Sequence, residues 1–133
     1  MHQEALVDVF LDFDASVKNI RGGSTACINV LSGNHIMTNA NAGDSRCFVI
    51  RDGKALAVSD DHKPSRPSEK SRIIRAKGHV KPSILKQAGF RLQIGPERVW
   101  PGGLSVSRGF GDHNLKSPER LIHEFQQYQN RHE

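Results

Sequence analysis

The chain has 133 residues, 36% of them apolar and 25% charged, with a formal net charge of +5. That length suits one domain with a core of its own, and no run of about 18 apolar residues is present to span a membrane. The positive residues from Lys63 to Lys86 are scattered, without the interleaved aromatics that stack bases, so neither nucleic acid nor a membrane is an expected partner.

The first stretch, MHQEALVDVFLDFD, is acidic and lacks the basic start and cleavage site of a secretory signal. Leu6, Phe10, Phe13 and Val17 recur as one stripe of an amphipathic helix over 3–19, which Gly22-Gly23 ends. STACINVL (24–31) reads as a strand, followed by a tight turn at Ser32-Gly33-Asn34. HIMTNANA (35–42), RCFVI (46–50) and KALAVS (54–59) read as three more strands. Asp52-Gly53 between two apolar runs is a strong hairpin signal. Residues 24–59 are therefore expected to form an antiparallel meander. Cys27 and Cys47 lie on separate runs with no CxxC spacing; they read as small buried residues in a reducing compartment, cytoplasmic or nuclear.

A helix is expected from Pro67, with Lys77 in its last turn and Gly78 as its stop. KPSILKQAGFRLQIGPE (81–97) has mixed patterning and two prolines, and reads as an insertion or long loop. RVWPGGLSVSRGFGD (98–112) reads as a short strand on each side of a Pro-Gly-Gly turn. The tail 117–133 reads as a polar helix with Leu121, Ile122 and Phe125 on one side.

No single motif is specific. A Gly-Asp pair after a strand is far more often a turn than a metal site, and a histidine after two aspartates is usually a loop residue with a local hydrogen bond. The ordered set says more. GGSTA (22–26), NAGDSR (41–46), DHKPSRPSEKSRI (61–73), KGHV (77–80) and GGLSVSRGFGD (102–112), with Leu115-Lys116 beyond, resemble in order and spacing the metal-dependent Ser/Thr protein phosphatases of type 2C. The resemblance spans about residues 22–116, leaving 117–133 as a divergent tail. It implies an α+β fold, part of an antiparallel β-sandwich flanked by helices, and one partial domain over 1–133.

The resemblance also implies phosphorylated proteins as substrates and two or three Mg²⁺ or Mn²⁺ ions as cofactors. In such a site a metal-bridging water attacks the phosphorus while the metals neutralise phosphoryl oxygens. Asp44 matches an aspartate that reaches an additional, weaker metal beside the main pair. Ser24 and Thr25 match a strand beneath the site. Asp61 and His62 match a loop packed on the sheet. Ser107, Arg108 and Asp112 match a segment whose polar groups brace a turn. Residues 81–97 match a variable surface flap, a substrate-contact element.

Departures from the family pattern are as informative. The Glu-Asp pair, the Asp-Gly-His-Gly segment and the phosphate-holding arginine that open the family domain have no counterpart here. Neither do the Asp-Gly-x-Trp-Asp segment and the Asp-Asn pair that close it. The chain reads as the middle of such a domain. One carboxylate, Asp44, does not hold Mg²⁺ tightly against water, so no catalytic residue is assigned and tight metal binding by the chain alone is not expected. The alternatives to an enzyme are a catalytically silent interaction module and a truncated product. Exposed sheet edges would favour marginal stability and self-association.

Overall fold

A computed structural model of the chain describes residues 2–33, 35–87 and 89–116. Helix α1 spans His2–Ser16. Strands β1 (Gly23–Ser24), β2 (Ala26–Ser32), β3 (Ile36–Ala42), β4 (Phe48–Arg51) and β5 (Lys54–Ala57) follow. Then come α2 (Pro67–Arg75), β6 (His79–Gln87), β7 (Phe90–Trp100), β8 (Phe110–Gly111) and the single-turn α3 (His113–Lys116). The α+β class is as expected. All four sheets among the described residues are two-stranded and antiparallel, and none closes into a barrel. The expected tail helix at 117–133 lies outside the described residues.

The described residues divide into two compact units, one within 2–62 with 108–112 and the other within 63–107 with 113–116. In the first, β2 and β3 pair from Ala26↔Ala42 to Ser32↔Ile36, and β4 and β5 from Phe48↔Ala57 to Arg51↔Lys54. The latter hairpin turns on Asp52 (φ 51°) and Gly53 (φ 71°), the two left-handed residues of a type I′ turn, as the Asp-Gly signal predicts. Strand β1 pairs with the distant β8, Gly23 opposite Gly111. Phe110 of β8 receives Phe10 and Phe13 of α1, each with ring centroids 5.0 Å away. Asp14 Oδ1 accepts from Gly111 N at 2.7 Å, so the helix stripe finds its partner in a segment nearly a hundred residues downstream.

The meander over 24–59 needs correction. All four strands form near their expected places, but β3 and β4 do not ladder. The five residues between Ala42 and Phe48 are too many for a tight hairpin. They are held instead by groups outside the ladder, described below. The first helix is also shorter than expected, ending at Ser16, whose Oγ donates to Phe13 O at 2.7 Å.

In the second unit α2 begins with Pro67 and ends in a Schellman motif: Gly78 N donates to Ile73 O and Lys77 N to Ile74 O, both at 3.0 Å. The left-handed residue is Lys77, with φ 66°, and not Gly78. Gly78 is required for a different reason. A Cβ there would lie 2.8 Å from Ile73 Cγ2. Lys77→Gly should therefore stabilise the chain by about 0.5–1 kcal/mol, since relief of the left-handed penalty outweighs the added freedom of the unfolded chain. Urea denaturation checks this; an unchanged or lower midpoint contradicts it.

Residues 81–97 are not a loop. They form most of a long hairpin, β6 with β7, from His79↔Trp100 to Gln87↔Phe90. The prolines misled because both sit where a ladder tolerates them. The register shifts between Pro82 (opposite Glu97) and Ser83 (opposite Ile94), so Gly95 and Pro96 occupy a bulge, with Gly95 at φ 74°. Beyond Pro101-Gly102-Gly103 only Leu104 returns to β7, bridging Val99 with bonds of 2.8 and 3.2 Å, instead of the expected second strand.

The core is thin. Ala42, Pro64 and Ile73 are the buried apolar side chains among those described, while Leu31, Phe48, Ile50 and Phe90 are each more than 60% exposed.

Candidate functional site

The turn after β3 carries Asp44, and the first unit is organised around it. Gly43 is buried at φ 109°, a conformation closed to most side chains. The Thr25 side chain approaches so closely that any Cβ at Gly43 would collide with its methyl group. Thr25 Oγ1 and Ser45 Oγ share a hydrogen bond of 2.7 Å. Thus the segment matched as a strand beneath the site abuts the turn on both sides of Asp44.

A second brace comes from the loop 60–62. Gly43 N donates to His62 Nδ1 at 3.2 Å, and His62 N donates back to Gly43 O at 2.9 Å. Asn41 Nδ2 donates to Asp60 O at 2.7 Å and to Gly43 O at 3.3 Å; its Oδ1 is buried with no partner among the described residues. Arg46 closes a fork on Asp61, Nε to Oδ1 at 2.7 Å and Nη2 to Oδ2 at 2.8 Å. This pair, with a smaller contribution from Asp44, pushes the Arg46 guanidinium pKa above its ordinary value. Asp61 and His62 thus act as props of the turn.

Asp44 itself is half-buried at the apex of this frame. The sheet and the loop fix its backbone from both directions, which limits the entropy lost if its carboxylate meets a ligand. A divalent cage is another matter. Among the described residues no three His, Cys, Asp or Glu side chains gather closely enough to hold a metal ion. Mg²⁺ and Mn²⁺ favour several oxygen ligands, so these residues do not fit a tight metal site.

The segment at 107–112 is divided between the two units. In the first, Asp112 N donates to Gly22 O at 2.8 Å, with Asp112 in the left-handed region at φ 49°. In the second, Ser107 Oγ donates to Glu69 Oε2 at 2.7 Å and Ser107 O accepts from Arg72 Nη2 at 2.6 Å. Arg72 Nη2 also meets Glu69 Oε2 at 2.8 Å, an i, i+3 pair on α2. Glu69 is only 3% exposed. A glutamate in a helix's first turn is common, and nothing local in the sequence marks Glu69 as buried. The polar bracing expected of Ser107 is present, but its partner was not legible.

Comparison with known proteins agrees with the motif order. The family model described as "Protein phosphatase 2C" matches residues 2–130. Probable protein phosphatase 2C 76 of Arabidopsis thaliana is 46% identical over 94 residues, covering 71% of this chain and 19% of that protein. Probable protein phosphatase 2C 45 of Oryza sativa subsp. japonica is 43% identical over 107 residues, covering 80% of this chain and 33% of that protein. Probable protein phosphatase 2C 42 of the same species is 39% identical over 99 residues, covering 74% of this chain and 25% of that protein. The chain therefore spans a third or less of each of these relatives. With a family match over nearly its whole length, the chain belongs to the protein phosphatase 2C family.

Proposed function

We propose that the chain is one partial domain, an interior portion of a metal-dependent phosphatase that removes phosphate from phosphoserine and phosphothreonine in proteins, and that it is not active alone. Family membership supports the reaction class. The observation that carries the second half is the makeup of this turn: it is braced by Thr25, His62 and the Arg46–Asp61 pair, yet among the described residues no three His, Cys, Asp or Glu side chains gather into a metal cage around it. In this reading Asp44 contributes one ligand to an accessory Mg²⁺ or Mn²⁺, and the remaining ligands belong to other parts of a full-length domain. When bound, such an ion supplies electrostatic neutralisation of the phosphoryl oxygens. The residues of this chain supply the rigid seat.

The test is Mn²⁺-dependent hydrolysis of a phosphothreonine peptide by the purified chain. The expected result is no turnover above buffer. Turnover that disappears in Asp44→Ala would overturn the reading. A silent interaction module is the second reading, favoured by the large exposed apolar side chains, which also support self-association through open sheet edges. Light scattering separates the two states: concentration-dependent growth in mass is expected, and a monodisperse monomer contradicts it.

A further inference from the structure

The β6–β7 hairpin carries a pattern that its own fold does not use. Antiparallel partners share a face. On one face Leu85 pairs with Leu92, flanked by Ile94 and Phe90, and these four side chains are 43–79% exposed. Leu85, Gln87, Phe90, Arg91 and Leu92 line an open hollow of about 390 Å³. On the other face Lys86 lies directly opposite Arg91. Like charges in that position repel and weaken a ladder. Glu97, the acidic residue of this hairpin, is taken by Lys70 at 2.9 Å. Neither Lys86 nor Arg91 has an ion-pair partner among the described residues. The outer edge of β7 from Phe90 to Ile94 is also open, since among the described residues β7 pairs only with β6 and, at its base, with Leu104.

A strand added to that edge would place successive side chains on opposite faces. One set would fall toward the hollow and the alternate set toward the Lys86–Arg91 pair. We propose that the distal part of the β6–β7 hairpin is a docking edge for an extended protein segment that alternates apolar and acidic residues. The apolar residues cover Leu85, Phe90 and Leu92, and the acidic ones neutralise the cation pair. A membrane surface fits less well, because the open edge of β7 would carry unpaired backbone groups into an apolar layer that offers them no hydrogen bond. This inference deepens the silent-module reading, and it requires no catalysis and no metal.

The experiment uses the whole 133-residue chain and fluorescein-labelled dodecapeptides at low salt, without divalent ions. A peptide of alternating Leu and Glu is expected to bind saturably. A peptide of the same composition in two blocks, and the alternating peptide N-methylated on every second amide, should each bind about tenfold more weakly or worse. Phe90→Ser and Arg91→Glu, both at exposed positions, should weaken binding of the alternating peptide by a similar factor while leaving the circular dichroism unchanged. Equal binding of the three peptides, or none by the alternating one, overturns the proposal. So does binding of the chain to vesicles of phosphatidylcholine and phosphatidylserine that Phe90→Ser abolishes while peptide binding persists. The N-methyl comparison leaves the protein unaltered, so its result stands even if a variant misfolds. Loss of peptide docking leaves the phosphatase assignment untouched, and absence of turnover leaves the docking result untouched.

Discussion

Gly43→Ala is expected to lower stability by about 3 kcal/mol, enough to unfold the first unit in a chain with so thin a core. Two penalties act together. Alanine at φ 109° is strained whatever space surrounds it, and its methyl group must also displace Thr25. Thr25 cannot retreat cheaply, because its hydroxyl is tied to Ser45 at 2.7 Å. Movement of Gly43 the other way would open the paired bonds to His62. Gly33→Ala is the control, since a Cβ there meets nothing within 4 Å and the backbone is not in the left-handed region. Urea denaturation followed by circular dichroism should show a large drop in midpoint for Gly43→Ala and a small change for Gly33→Ala. Equal midpoints would mean that the frame around Asp44 is looser than described.

Glu69→Ala should destabilise the second unit by about 2–3 kcal/mol. Removing one member of a buried pair leaves the other's polar groups unsatisfied. The full cost of a buried ion pair is not expected, because the Arg72 side chain is 41% exposed and screened by water. Ser107 loses its acceptor at the same time, while Arg72 keeps its bond to Ser107 O. Glu69→Gln retains an acceptor oxygen and should cost about half as much. In a double-mutant cycle, Glu69→Ala with Ser107→Ala should show a coupling of about 1 kcal/mol. Independent, additive effects would place Glu69 outside the network that fixes the 107 segment.

Local signals were read well where the chemistry is local. The Asp52-Gly53 turn needs two consecutive left-handed residues, and Asp-Gly supplies them cheaply. Pro67 opens α2 because its missing N–H is an orphan at that position anyway. The same local logic failed for residues 81–97. Two prolines suggested a loop, but the register shift that absorbs Pro96 depends on the facing strand, and no window of sequence displays that. The expected β3–β4 ladder failed for the converse reason. Two good strands need not pair when the connection between them is claimed by Thr25, Asn41 and His62.

The sequence by itself determined the family, through five motifs in order, and with it the α+β class. Those properties reside in residue identity and spacing, which no packing alters. Tertiary structure alone decided what surrounds Asp44: a glycine wedged against Thr25, a histidine nitrogen receiving its N–H, and an arginine fork nearby. It also decided that Glu69 is buried and that the hairpin at 79–100 exposes Leu85, Phe90 and Leu92 and sets Lys86 opposite Arg91. The physical reason is range. Turn and cap preferences act over a few residues, whereas burial, close approach and charge pairing join groups tens of residues apart.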